Sequence, residues 1–451
     1  MKHLLIAAAA LLPLSSASAQ TVAIINARLE TLSSQGTIAK GTLILQNGKI
    51  LAVGAGVEAP AGAVILDAKG GVVTPGLIAA SSNLTVSEID AVSETRDDRS
   101  GKLSAGFDIQ YGVNPGSALI PQARQSGLTR AVATPVLSRG GGGHVHDDSG
   151  AGDFAGGGGG GEGDPPLFAG QAAIVSLASG QSDLVLGAKV AVALDLGQAG
   201  AAAAGGSRGA SLVLVRAALE DARAFARNRS DYDEGDSREF GLSRIDLEAL
   251  VPVIQGKTPL LIRVSRASDI RQALRLAREE KLKIILEGAE EGWMVASEIA
   301  AAGVGVLMDP QANLPTSFET LGSRLDNAAR LQAAGVLVAV MGSRDYTNLR
   351  QARFNAGTAV AYGLPYQAAL ASVTLNPAKI WGIADQVGSL EKGKDADVVL
   401  WSGDPLETSS WPVAVFIGGV RQPDSSRAFE LRDRYAAPLS AYPQAYVYER
   451  P

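Results

Sequence analysis

The chain has no cysteine in its 451 residues. No disulfide can therefore staple it, and no lipid can be carried on an N-terminal cysteine. Histidine is almost as scarce, with only His3, His144 and His146 in the whole sequence. Aromatics make up 5% of residues, so the core must be built mainly from aliphatic side chains, which suits an α/β protein. No apolar run is long enough to span a membrane, which takes about 20 residues. Basic clusters are missing along the chain and the formal net charge is −6, which argues against nucleic acid or anionic lipid as a partner. Small molecules and other proteins remain.

The N-terminus has Lys2 and His3, then an apolar run from Leu4 to Leu14, then Ala-Ser-Ala before Gln20. This is the pattern of a cleavable export signal over residues 1–19, and it predicts a periplasmic protein beginning at Gln20. From there, "TVAIINARLETL", "GTLILQNGKILAVG" and "AVILDAKGGVVTPG" read as short strands broken by Gly and Asn-Gly turns. A similar pair, "DADVVLWSGDP" and "PVAVFIGGVRQ", lies near the other end. Residues 20–73 and 385–422 are expected to form the two halves of a small β-sandwich, followed by a tail over 423–451. The ends can meet only if the middle folds as a unit that brings them together.

That middle, 74–384, alternates apolar strands with amphipathic helices such as "ASDIRQALRLAREEKL". Eight candidate strands, from "GVVTPGLIAA" to "GVLVAVMGS", predict a distorted (β/α)₈ barrel, in which the third and fourth could instead form an inserted hairpin. The Gly-rich segment 140–164 breaks the pattern and reads as a mobile loop over the carboxyl ends of the strands. Its "HVHDD" (His144, His146, Asp147 and Asp148) offers ligands to a divalent, zinc-like metal, or is simply a polar patch among glycines. Asp309 and Asp345 close the last two strands, where carboxylates serve either as acid and base in metal-free hydrolysis or as helix caps.

The phrases "VVTPGLIAASSNL", "SGLTRAVATP" and "ALASVTLNPAKIWGIADQVGSLEKGKDADVVLWSGDPL" resemble the amidohydrolase superfamily, and most of all its exported imidazolonepropionase-like members. The resemblance implies a metal-dependent hydrolase fold whose ligands are a His-x-His on the first strand, single His on later strands and an Asp on the last. Carried over, those positions fall on Ser81, Asn83, Arg263, Glu287 and Ser343, none of the family's residue type, and Ala79 stands where an Asp is expected. Arg263 and Glu287 would instead fill the cavity as a salt bridge. Metal lowers the pKa of bound water from 15.7 to about 7, so without it roughly one water in a few hundred million is ionised at neutral pH. General-base help worth about 10² to 10⁴ does not close that gap.

Two functions follow from the resemblance. One is a pseudoenzyme with no cofactor, associating with itself or with an active relative and able to take a small ligand. The other is a divergent hydrolase of carbon–nitrogen bonds in cyclic amides or dipeptides.

Overall fold

The computed structural model describes residues 21–89, 92–137, 166–312, 315, 317–342 and 351–436. The expected signal, the Gly-rich segment with its "HVHDD", and both Ser343 and Asp345 lie outside these residues.

Five strands open the described chain: β1 (Val22–Glu30), β2 (Thr37–Gln46), β3 (Lys49–Gly54), β4 (Val64–Asp67) and β5 (Val72–Pro75). Ten occupy the middle: β6 (Leu77–Ser82), β7 (Leu128–Ala133), β8 (Phe168–Gln171), β9 (Ala173–Ser176), β10 (Val185–Gly187), β11 (Val192–Asp195), β12 (Leu260–Val264), β13 (Ile284–Gly288), β14 (Gly305–Met308) and β15 (Val338–Val340). Three close it: β16 (Val398–Trp401), β17 (Pro412–Ile417) and β18 (Val420–Arg421).

The two chain ends do pair. Their strands form one hydrogen-bonded sheet in the order β18-β17-β16-β5-β1-β2-β3, with β4 alongside β1. The join is β5 against β16, antiparallel from Val72↔Trp401 to Pro75↔Val398. The stretch "GVVTPGLIAA" is thus two strands. Val72–Pro75 belongs to the end sheet and Leu77–Ser82 to the middle, divided at Gly76, where a Cβ would overlap the Thr129 side chain.

In the middle, β11 to β15 run parallel as neighbours, as do β6 and β7. The third expected strand departs from the parallel pattern. Residues 168–176 run antiparallel to both neighbours, β8 against β11 and β9 against β7, with Ala172 and Ala191 hydrogen-bonded where one sheet hands over to the other. A parallel neighbour needs a crossover of a dozen or more residues, usually a helix. The sequence between β7 and β8 is rich in glycine and lacks the helical periodicity of such a crossover.

Among the described residues β6 and β15 share no ladder; the segment 373–381, which includes the short helix Leu375–Ile380, lies between them. Ile78 N–H donates to Val373 O, Asn376 Nδ2 to Val338 O, and Trp381 Nε1 to Ala80 O. Inside this arrangement Ala80, Val132, Ile174, Ala193, Leu261, Ile285, Leu307 and Ala339, each from a different strand, form one buried cluster with Trp381. A larger cluster outside the strands joins their other faces to the helices, including Ile270, Ala273 and Leu276 of the amphipathic helix Ala267–Glu280. The strands are therefore covered on both faces, which is why they read as continuous apolar runs.

Candidate functional site

Successive side chains on a strand alternate faces, so residues two beyond the inner apolar cluster point into the same interior at the strands' carboxyl ends. The polar ones are Thr134, Asp195, Arg263, Glu287 and Asp309, while Met341 at the corresponding place just past β15 belongs to the apolar cluster itself. The register places Asp195, Arg263, Glu287 and Leu307 side by side across β11 to β14. A polar layer thus lies directly above an apolar one.

Ser81 joins this layer through an irregularity in the β6–β7 pairing between Ala79 and Ser82, the kind of local kink that re-aims a side chain. Its Oγ lies 2.7 Å from Thr134 Oγ1 and donates to Glu287 Oε2 at 3.2 Å. On the other side, Arg263 Nε donates to Glu287 Oε1 at 3.0 Å. Both carboxylate oxygens are therefore engaged, and the pair is nearly closed to solvent, at 4% exposure for Glu287 and 16% for Arg263. Arg263 Nη2 is buried with no hydrogen-bond partner among the described residues. Asn83, also buried, stands at the end of the same β6 segment.

Three further carboxylates ring the network, and the sequence reading did not single out two of them. Asp195 Oδ1 accepts from the amides of Gly197 and Gly200 at 2.8 and 2.9 Å. A Cβ at Gly200 would overlap the Asp195 carbonyl, so only glycine lets the following helix start here. Burial pushes the Asp195 carboxyl up, against the Gly200 amide and the Arg263 charge that pull it down. Glu290 has an enclosed carboxyl, and burial raises it to about 7. Asp309 accepts from Gln311 N and Asn355 Nδ2, and burial raises it to about 6. The signal for Asp195 was its place two residues after Ala193 in "KVAVALDL", the position Arg263 and Glu287 hold on the next two strands.

Of the residues expected at the site, Ser81 and Arg263 each hydrogen-bond to Glu287, and Asn83 and Asp309 are buried just beyond the ends of β6 and β14. Among the described residues no three His, Cys, Asp or Glu side chains are grouped to hold a metal ion.

Residues 270–422 match the model of the amidohydrolase family. An amidohydrolase of Hapsidospora irregularis is 51% identical over 63 residues, which are 14% of this chain and 6% of that protein. The imidazolonepropionase of Aromatoleum aromaticum is 41% identical over 111 residues, 23% of this chain and 25% of that protein. The matches thus span a quarter or less of these curated relatives. In three dimensions, an amidohydrolase from Thermotoga maritima superposes with a TM-score of 0.75 over 89% of this chain and 99% of its own, at 24% identity. The chain thus shares its fold with the Thermotoga maritima amidohydrolase, and its residues 270–422 match the amidohydrolase family model.

Proposed function

We propose that this chain is an amidohydrolase-fold protein that has given up the fold's metal chemistry and acts as a non-catalytic subunit, assembled with itself or with an active exported relative. The observation that carries this reading is the Ser81–Glu287–Arg263 network. These residues do not fit a zinc-like ion. A serine hydroxyl is a weak neutral donor, and the carboxylate oxygens already accept from Ser81 and Arg263. The guanidinium also brings a fixed positive charge to where the cation would sit.

The middle of the chain is a (β/α)₈ barrel with its third strand reversed, residues 20–73 and 385–422 form the companion β domain, and residues 1–19 direct the protein to the periplasm. The partial similarity to an imidazolonepropionase supports kinship with imidazolonepropionase-like members.

A second reading rests on a different observation. Asp309 raised to about 6 and Glu290 to about 7 both exchange protons near neutral pH, as a general acid or base of a metal-free hydrolase of carbon–nitrogen bonds would. In it, Asp309 and Asp345 work the proton transfers and any metal comes through His144, His146, Asp147 and Asp148.

Metal analysis of protein purified without chelator, with and without His144→Ala and His146→Ala, separates the two. The expected result is no stoichiometric zinc, manganese or iron, and no turnover of dipeptides or cyclic amides above background. Two tightly held metals per chain in both proteins, or turnover at ordinary enzymatic rates, would overturn the first reading.

A further inference from the structure

At the end of the strands opposite to Ser81 and Glu287, the segments entering β11 to β14 and the helix Leu375–Ile380 surround a groove of about 1260 Å³. Its walls carry seven cationic side chains and one carboxylate, Glu298, in a chain whose net charge is negative. Arg271 is bound to Glu298 at 2.9 Å, Arg275 to Glu279 at 2.7 Å, and Lys189 lies 3.6 Å from Asp108. Lys257, Arg278, Lys283 and Lys379 have no ion pair among the described residues. These four come from three separated segments, so the sequence shows no basic run; the fold gathers them. Between them Leu274, Ile380 and Trp381 give the groove apolar wall.

We propose that this groove binds an acidic, partly apolar segment of a partner protein lying extended along it. Unpaired like charges around a concavity raise the local positive potential and attract an anion. Three of the four are lysines, point charges on flexible stems, which suit a run of carboxylates better than one bidentate group. The concavity decides between a chain and a bilayer. A flat anionic surface meets only the rim of a groove, whereas an extended segment meets its cations and its apolar wall together. This inference concerns the face away from the polar layer and does not depend on whether that layer is catalytic.

The test is fluorescence anisotropy with a fluorescein-labelled peptide of alternating Glu and Leu. The full chain should bind it, and binding should weaken as salt rises from roughly 0.05 to 0.5 M. Lys283→Glu with Lys379→Glu should weaken it by about tenfold or more. The control, Arg227→Glu with Arg434→Glu, makes the same change in net charge on exposed residues elsewhere and should leave the affinity within about twofold. Circular dichroism melts establish that both variants fold. Equal binding by the groove variant, equal loss in the control, or no binding by the natural chain overturns the proposal. So does binding to phosphatidylglycerol vesicles in place of the peptide, which would make the groove a membrane contact.

Discussion

Arg263 and Glu287 sit at matched register on adjacent parallel strands, so each is the other's main substitute for water. Removing one partner leaves the other charge buried. Glu287→Ala should therefore cost about 3–5 kcal/mol in urea unfolding, whereas Arg263→Met with Glu287→Leu should come out close to neutral or more stable than the natural chain. A double variant as unstable as the single one would mean that the pair holds more of the site than its own charges. Asp309 makes a pH prediction with the opposite sign to that of a salt-bridged carboxylate. Its folded pKa is raised from 3.8 to about 6 by burial, so the folded state binds the proton more tightly than the unfolded one. The penalty is full above about pH 6 and fades toward the ordinary value as pH falls. Asp309→Asn keeps the oxygen that accepts from Gln311 and Asn355 but carries no charge. It should raise the free energy of urea unfolding at pH near 7.5 by on the order of 2–3 kcal/mol, and make little difference near pH 4. A gain independent of pH would remove ionisation of Asp309 as the cause.

At the scale of elements, the two sheets of the middle are joined by two devices that are not ladders between parallel neighbours. One is the reversed strand 168–176, and the other is the segment 373–381 between β6 and β15. Trp381→Phe keeps an aromatic ring in the apolar cluster but removes the donor to Ala80 O together with part of the buried indole. It should cost about 1–3 kcal/mol, the cost of a buried acceptor left unmade, read from the thermal midpoint. A neutral result would mean that packing alone holds the segment. These devices were the least legible part of the fold. Continuous apolar runs identified β7 and β11 to β15 because burial on both faces leaves a plain compositional mark. Direction leaves none, since "AAIVSLA" is equally apolar whichever way it runs. The site was legible where a substitution stood out in a known phrase, as at Ser81 and Asn83. It was obscure where a residue became special only through its neighbours, as Asp195 does beside Arg263.

At the scale of the molecule, the end sheet and the strands of the middle are tied by Arg130 of β7. Its Nε donates to Asp397 and its Nη2 to Asp395, at 2.8 and 2.6 Å, with Arg130 and Asp397 both buried. Arg130→Met strands Asp397 with only the Gly418 amide at 2.8 Å. Calorimetry should show about 3–5 kcal/mol lost, with the end sheet melting ahead of the rest. A single transition at the natural midpoint would mean that the two parts hold together by apolar contact alone. The pairing of β5 with β16 also sets a timetable. β5 emerges from the ribosome early, but the strand that covers its edge comes some three hundred residues later. At about 5–20 residues per second, that edge stays open for roughly 15–60 s of every chain's synthesis. Throughout that interval Val72–Pro75 offers unpaired backbone to any passing strand. The order of synthesis thus leaves this edge to be closed only after the whole middle of the chain has been made, whatever the finished protein does.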